Sequence, residues 1–287
     1  MPQAEGAVVI ATQPSDLSGL EPFKQHFFVG GNSIILNILK NNIDELLVTA
    51  STDNFDATFK RLMSLLQNET ASIEIIQAAF DKNRLNISLN IHQIVGHKFP
   101  TGFPSRRAWI HLTVTDSSGN IVFESGKPND DGSITGCNAD ENSNNYERHY
   151  DIITQADQVQ IYESVMQDFE GNITYTLLKG ADYAKDNRLL PLGFNIENAG
   201  EKIAIHGEAA SDDNFIAGSD NITYQIDTQG FTGPFNINAE LLYQTISYQF
   251  IKDVLQDNHD LIILFSDLYE DIDKTPIQIA TVSKTVS

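Results

Sequence analysis

Apolar residues recur at a helical spacing in two consecutive segments near the beginning of the chain. The first segment begins after Asn32 or Ser33, whose side chains suit an N-cap, and its apolar positions predict a helix to about Val48. The second segment covers residues 53–69. Its apolar stripe consists of Phe55, Phe59, Leu62 and Leu66. Since only a short turn separates the segments, they predict an α-helical hairpin.

Beyond residue 71 the apolar positions repeat every second residue, which is the period of a half-buried β-strand. Residues 85–91 alternate in this way, and so do residues 110–114, which a polar turn at 116–120 connects to a partner strand at 121–124. Further strand candidates cover residues 159–166, 202–208, 221–227 and 235–243. Many short strands with polar turns between them are typical of an antiparallel sandwich.

The remaining segments complete a fold that is mainly β with α. The pattern indicates irregular structure in residues 1–31, a long polar loop at 126–150, a short helix within 174–190 and helical structure at 246–272. We therefore predict an N-terminal helical hairpin followed by an antiparallel β-sandwich with additional short helices. The predicted boundary separates a helical N-terminal segment, residues 1–70, from a β-sandwich domain, residues 71–287.

The composition describes a strongly acidic globular protein. Asp and Glu number 39 against 18 Lys and Arg, which gives a net charge of -21, while 41% of the residues are hydrophobic and can form a sizeable core. A surface this negative repels nucleic acid and anionic lipid, so neither is an expected partner. No apolar run approaches the roughly 18 residues that a membrane span needs, and the first residues lack the pattern of a signal peptide.

Several classes of site are excluded by missing motifs. Cys137 is the only cysteine, so the chain holds no intrachain disulfide, no cysteine-clustered zinc site and no CxxCH for covalent haem attachment. The nucleophile elbow G-x-S-x-G and the nucleotide-binding glycine motifs are also missing. Because these motifs are missing, we rank an enzyme below an electron-transfer domain and a binding domain as a candidate function.

Two histidines lie in glycine-bounded segments. His97 is the second residue of the segment Gly96–Trp109. Two glycines and two prolines in this segment fix an unusual backbone between two strands. It is either a structural histidine that bonds to the loop backbone or a ligand to a metal or haem, since imidazole is the commonest protein ligand. His26 precedes the Gly30-Gly31 turn, where a packing histidine is the commoner explanation and a ligand is the alternative.

An acidic loop follows the first hairpin. It runs from Asn129 to Glu141 and contains Asp130, Asp131 and Asp140 around a glycine, a set of oxygen donors that suits Ca²⁺. The spacing does not match an EF-hand. A solvated acidic loop with no metal is the alternative interpretation.

Together, the two histidine segments resemble the C-terminal region of a family of multihaem c-type cytochromes. In that family a final CxxCH is commonly followed by Met-Pro, then by H-x-F-x-G-G-N, a helical pair and G-H-K-x-P-T-G-x-P-S-R-R-A-W at the start of a β-rich domain. Met1-Pro2, residues 26–32 and residues 96–109 match these motifs. Weaker similarity covers residues 123–126, 146–151, 159–163, 185–191 and 235–243, so the resemblance extends over nearly the whole chain.

The resemblance implies an accessory C-terminal domain of a secreted bacterial multihaem cytochrome, located in the periplasm or outside the cell. Haem c would be held by a full-length parent, upstream of Met1, and none covalently by this chain. His26 and His97 would be distal axial ligands. Arg106 and Arg107 would contact haem propionates, because a guanidinium pairs with a carboxylate through two hydrogen bonds. The partners would be the haem-bearing upstream segment or a redox protein.

This interpretation has a geometric consequence. Both histidines should be exposed on one side of the fold, beside an apolar patch that a haem edge would cover. The expected patch consists of Phe27, Phe28, Phe99 and Phe103, bordered by Arg106 and Arg107. The alternative function is a stand-alone β-sandwich module that binds Ca²⁺ or carbohydrate and has no redox role.

Overall fold

The computed structural model describes residues 4–24 and 29–287. The chain forms two compact units, of which the first ends at Gly31 and the second covers residues 32–287. Within the first unit the described residues are irregular, and Val8 and Leu20 exchange two backbone hydrogen bonds of 3.0 and 2.9 Å. His26, Phe27 and Phe28 lie outside the described residues.

The helical hairpin predicted near the start of the second unit is present. Helix α1 covers Ser33–Asn41 and α2 covers Thr52–Asn68, with Asn32 and Ser51 as N-caps. The first helix is shorter than the sequence predicts, because the Asn42 side chain donates to the Ile38 carbonyl at 2.9 Å and so competes with continuation of the helix.

Helix α1 contributes to an apolar cluster with the C-terminal part of the chain. The cluster comprises Ile34, Ile38, Ile246, Ile251, Tyr269 and Ile272. The C-terminal helices are α4, Tyr248–Val254, and α5, Asp260–Glu270, within the region predicted to be helical. A further short helix, α3, covers Asn138–Glu141 inside the acidic loop. The predicted boundary at residue 71 stays a prediction.

The strands form two open sheets that are antiparallel apart from one short parallel pair. The described strands are β1 Ala71–Asp81, β2 Arg84–Gln93, β3 Arg107–Thr115, β4 Ile121–Ser125, β5 Ile152–Ile153, β6 Ile161–Gln167, β7 Ile173–Thr174, β8 Asp182–Asp186, β9 Ser219–Asp227, β10 Phe235–Gln244 and β11 Ile277–Val286. One sheet has the order β1-β2-β9-β5, in which β5 and β9 are parallel. The other has the order β11-β10-β3-β6-β7, with β4 on β3 and β8 on β6. This mainly β fold with helices is consistent with a β-sandwich, as predicted.

The strand periodicity correctly identifies the core. Leu85, Ile87, Leu89 and Ile91 of β2 have no exposed surface. Each fully buried aliphatic side chain of this kind stabilises the fold by about 1.5–3 kcal/mol. The two sheets meet through contacts such as the edge-to-face pair of Phe123 in β4 and Tyr224 in β9, whose centroids are 6.1 Å apart.

Two strand assignments differ from the sequence prediction. The strand predicted at 202–208 is wrong, because the segment instead holds a 3₁₀ turn at Glu201–Ile203 and another that begins at Glu208. Gly207 between them has φ 78°, which interrupts an extended strand. Strand β11 was not predicted, because only Ile277 and Ile279 among its residues are buried and its second half is polar. The 3₁₀ turn Leu177–Lys179 occupies the segment in which a short helix was predicted.

Candidate functional site

The loop that carries His97 connects β2 to β3 and is fixed to the core. Phe99 and Leu189 exchange two backbone hydrogen bonds of 2.9 and 2.8 Å. The Phe99 ring is 3% exposed and stacks on Tyr243 with 5.7 Å between centroids. Phe99 therefore does not belong to the exposed apolar patch that the sequence predicts, whereas Phe103 is 50% exposed at the far side of the loop.

The His97 side chain is exposed, and its ring has a defined orientation. Its Nδ1 lies 2.9 Å from the Lys98 carbonyl oxygen. Because a carbonyl only accepts, Nδ1 carries the proton and Nε2 keeps its lone pair. The backbone oxygen of His97 accepts a hydrogen bond from the side-chain amide of the buried Gln93. This bond fixes the backbone of His97 to the core. A backbone carbonyl on one ring nitrogen is the usual arrangement for an imidazole that ligates a metal through the other.

An ion cluster supports the base of this loop. Lys98 Nζ lies 2.8 Å from Asp186 Oδ2, and Arg188 donates to both oxygens of Asp186 at 2.8 and 2.7 Å. Burial alone would raise the pKa of Asp186, but hydrogen bonding and charge from Arg188 and Lys98 outweigh it and lower that pKa. The charged carboxylate therefore holds Lys98, next to His97, against the core.

The two arginines at the end of the loop differ in position. Arg106 is half-buried and donates to the Thr101 carbonyl at 2.9 Å within the loop. Arg107 is 1% exposed and donates to both oxygens of Asp140 at 2.8 and 2.9 Å. Two further N–H groups of Arg107 donate to Gln244 Oε1 at 2.8 Å and to the Gly132 carbonyl at 3.0 Å. The structure therefore places Arg107 in the interior and not at a surface where it could contact a haem propionate.

The same ion pair changes the interpretation of the acidic loop. Asp140 is 8% exposed, and its Oδ2 also accepts from the Ile134 backbone N–H at 2.7 Å. Asp131 accepts from the backbone and hydroxyl of Ser133, and these hydrogen bonds lower its pKa. Asp130 is exposed. The structure does not bring Asp130, Asp131 and Asp140 together, because the Asp140 carboxylate holds the loop to Arg107.

A buried polar cluster was not identified from the sequence. Its centre is His149, which is 3% exposed and follows the acidic loop. Its Nε2 lies 3.1 Å from Asp212 Oδ2, and its Nδ1 lies 2.8 Å from Gln160 Nε2 and 3.0 Å from Asn187 Nδ2. Among residues 4–24 and 29–287, His149, Asp212 and Asp220 form the one group of three potential metal ligands within 4.8 Å of one another.

The amide neighbours fix the protonation of His149. Gln160 Oε1 accepts from the Tyr150 backbone N–H at 2.8 Å, and Asn187 Oδ1 accepts from the Glu163 N–H at 3.0 Å. Both amides therefore turn their N–H groups toward Nδ1, which must be an acceptor. The proton lies on Nε2 and is donated to Asp212. Burial lowers the pKa of His149 to about 4, in agreement with a neutral ring.

Asp220 lies in the interior beside this histidine, with no exposed surface. Its Oδ2 accepts from the Tyr162 hydroxyl at 2.7 Å and from Gln160 Nε2 at 3.2 Å, while its Oδ1 has no hydrogen-bond partner. Burial raises the pKa of Asp220 well above its usual value, and the neighbouring carboxylates of Asp212 and Asp151 raise it further. These residues come from chain positions up to about 70 apart, and no local motif marks them.

Comparisons with known proteins give one distant structural similarity. No protein-family model and no curated protein matches the chain. A crystal structure of a penta-heme cytochrome c552 from Thermochromatium tepidum has 14% sequence identity and a TM-score of 0.44, over 78% of this chain and 41% of that chain. The matched part is thus less than half of that cytochrome, and no residue role follows from a similarity of this size. Across the described ranges, no helix is both long and apolar enough to cross a membrane.

Proposed function

We propose that the chain is an accessory domain of a secreted multihaem c-type cytochrome and supports electron transfer by presenting His97 as a distal haem ligand. The observation that carries this proposal is the 2.9 Å contact between Nδ1 of the exposed His97 ring and the Lys98 carbonyl oxygen. The exposed ring donates from Nδ1 to the Lys98 carbonyl, so Nε2 offers a lone pair. The motif around His97 is also the most specific part of the resemblance to the cytochrome family.

The residues fit a haem in part. His97 suits axial ligation, and Arg106 lies in the same loop with its guanidinium partly accessible. Arg107 does not fit, since its donors are used inside the fold. A haem held by an upstream segment would supply an iron that carries one electron. The part of this chain would be to orient the imidazole, cover a haem edge with Phe103 and exclude water there.

The surface charge favours a particular class of redox partner. A net charge of -21 attracts basic surfaces and accelerates their association at low ionic strength. We infer that a redox partner docks through a basic patch and that the domain works in the periplasm or outside the cell. Association with such a partner should weaken steeply as salt is added.

The proposal is tested with a soluble haem c peptide that has one vacant axial position. Titration with the chain should convert its Soret spectrum to the low-spin form of a bis-histidine haem. His97→Ala should weaken this binding about tenfold, equal to about 1.4 kcal/mol. The matched control is His92→Ala, which removes an exposed histidine from β2 and should leave the titration unchanged. Equal titrations of the wild-type chain and His97→Ala would reject His97 as a ligand.

A further inference from the structure

A cavity beside His149 concentrates negative charge. Its volume is about 450 Å³. Four carboxylates line it, and these are Asp151, Glu208, Asp212 and Asp213. The one formally positive side chain among the described lining residues is Arg148, whose guanidinium lies over the Tyr150 ring at 5.6 Å from the centroid. The local imbalance favours a cation inside the cavity.

Asp220 supplies an independent indication. The carboxylate is fully buried, and Oδ1 has no partner although Oδ2 accepts two hydrogen bonds. An unsatisfied buried carboxylate oxygen is costly, and among the described residues no Lys or Arg forms an ion pair with Asp220. A ligand oxygen of Asp220 lies within 4.8 Å of one of Asp212. That separation suits two oxygens on one Ca²⁺, since Ca–O distances are about 2.3–2.6 Å.

The hydrogen bonds around His149 decide which kind of cation fits. Ligation through Nε2 would require the proton of the ring to move to Nδ1, where the N–H groups of Gln160 and Asn187 already point. Nε2 therefore keeps its proton and donates to Asp212 Oδ2 at 3.1 Å. In this arrangement His149 orients a carboxylate and does not ligate a metal. The ligand atoms that remain are the carboxylate oxygens of Asp212 and Asp220, which favour a hard cation over Zn²⁺.

We propose that a divalent, oxygen-coordinated cation of the Ca²⁺ type binds between Asp212, which lines this cavity, and Asp220, which does not line it but has a ligand oxygen within 4.8 Å of one of Asp212. His149 positions the Asp212 carboxylate, and water with the cavity carboxylates completes the coordination. The site differs from the acidic loop 129–141 that the sequence singled out. It is also independent of the haem-ligand function that we propose for His97, which lies in another loop.

The test is calorimetry of the full chain, first treated with a chelator and then titrated with Ca²⁺. The wild-type chain should bind one ion, and Asp220→Asn and Asp212→Asn should each weaken binding at least about tenfold. The matched control is Asp131→Asn, which removes a carboxylate from the acidic loop and should bind like the wild type. Circular dichroism of each variant confirms that it is folded.

A second probe is Tb³⁺, which tyrosine excitation sensitises. Tyr162 donates to Asp220 at 2.7 Å, so bound Tb³⁺ should emit on excitation of tyrosine and Ca²⁺ should displace it. Tyr162→Phe should reduce this emission while Ca²⁺ still binds. Three results would overturn the proposal. They are no heat and no emission with the wild-type chain, unchanged binding by folded Asp220→Asn, or binding that Asp131→Asn abolishes.

Discussion

Replacement of Asp140 by Ala should destabilise the protein more than most single substitutions would. The change removes a carboxylate that accepts from Arg107 at 2.8 and 2.9 Å and from the Ile134 N–H at 2.7 Å. The guanidinium of Arg107, which is 1% exposed, then has no counter-charge beside it. Burial alone would lower the pKa of Arg107, but the charge and hydrogen bonds of Asp140 raise it. The folded state therefore depends on Asp140 to hold this buried charge.

The expected magnitude follows from that loss. Removal of one partner from a buried ion pair costs about 3–5 kcal/mol. For a chain of 287 residues such a loss lowers the melting temperature by roughly 5–8 °C. The assay is urea unfolding monitored by the fluorescence of Trp109, whose ring lies 5.8 Å from the Arg107 guanidinium carbon.

A double variant separates the cost of a stranded charge from the value of the pair. Arg107→Met combined with Asp140→Leu removes both charges and keeps apolar volume, so it should lose less stability than Asp140→Ala alone. The reasoning fails if Asp140→Ala costs under about 1 kcal/mol, or if the double variant loses the sum of the two single losses.

Three further predictions concern other parts of the fold. Burial lowers the pKa of His149 from 6.5 to about 4, so this side chain binds a proton more readily in the unfolded chain. The stability that the neutral, buried ring contributes should therefore be present above pH 6.5 and be lost as the pH falls toward 4. Between pH 6.5 and pH 4, the free energy of unfolding measured with urea should fall by up to about 3 kcal/mol less in His149→Gln than in the wild-type chain. Phe99→Ala should cost about 3–5 kcal/mol and broaden the NMR signals of His97. Burial raises the pKa of Cys137, so its thiol should react with a disulfide reagent only after unfolding, and reaction of the native protein would contradict its buried position.

The sequence was informative where one physical pattern dominates a segment. Strand β2 alternates between buried and less buried positions along its length, and β3 and β10 alternate over part of theirs. Helix α2 has an apolar stripe and an N-cap. In each case the local sequence pattern is enough to predict the element. Strand β11 lacks such a pattern, because it is held mainly by backbone pairing with β10 and needs few buried side chains.

The polar clusters could not be predicted because their members are distant in the chain. His149 meets Asp212 and Asp220, which are more than 60 residues away and have no distinctive local motif. Burial of a carboxylate or an imidazole depends on which strands become neighbours, and composition does not encode that. In the acidic loop, by contrast, residues that are close in the sequence differ in burial. Its carboxylates looked equivalent in the sequence, yet Asp130 is solvated while Asp140 is inside the fold.

The difference between Arg106 and Arg107 coincides with the start of a strand. Strand β3 begins at Arg107, whose side chain is buried, whereas Arg106 precedes the strand and is half-buried in the loop. The residue that points inward needs a buried acid, and Asp140 is that acid, while Arg106 stays with the loop of His97. In this chain the Arg-Arg pair therefore consists of one buried structural arginine and one half-buried arginine of the loop, and only Arg106 is partly accessible to an anionic group.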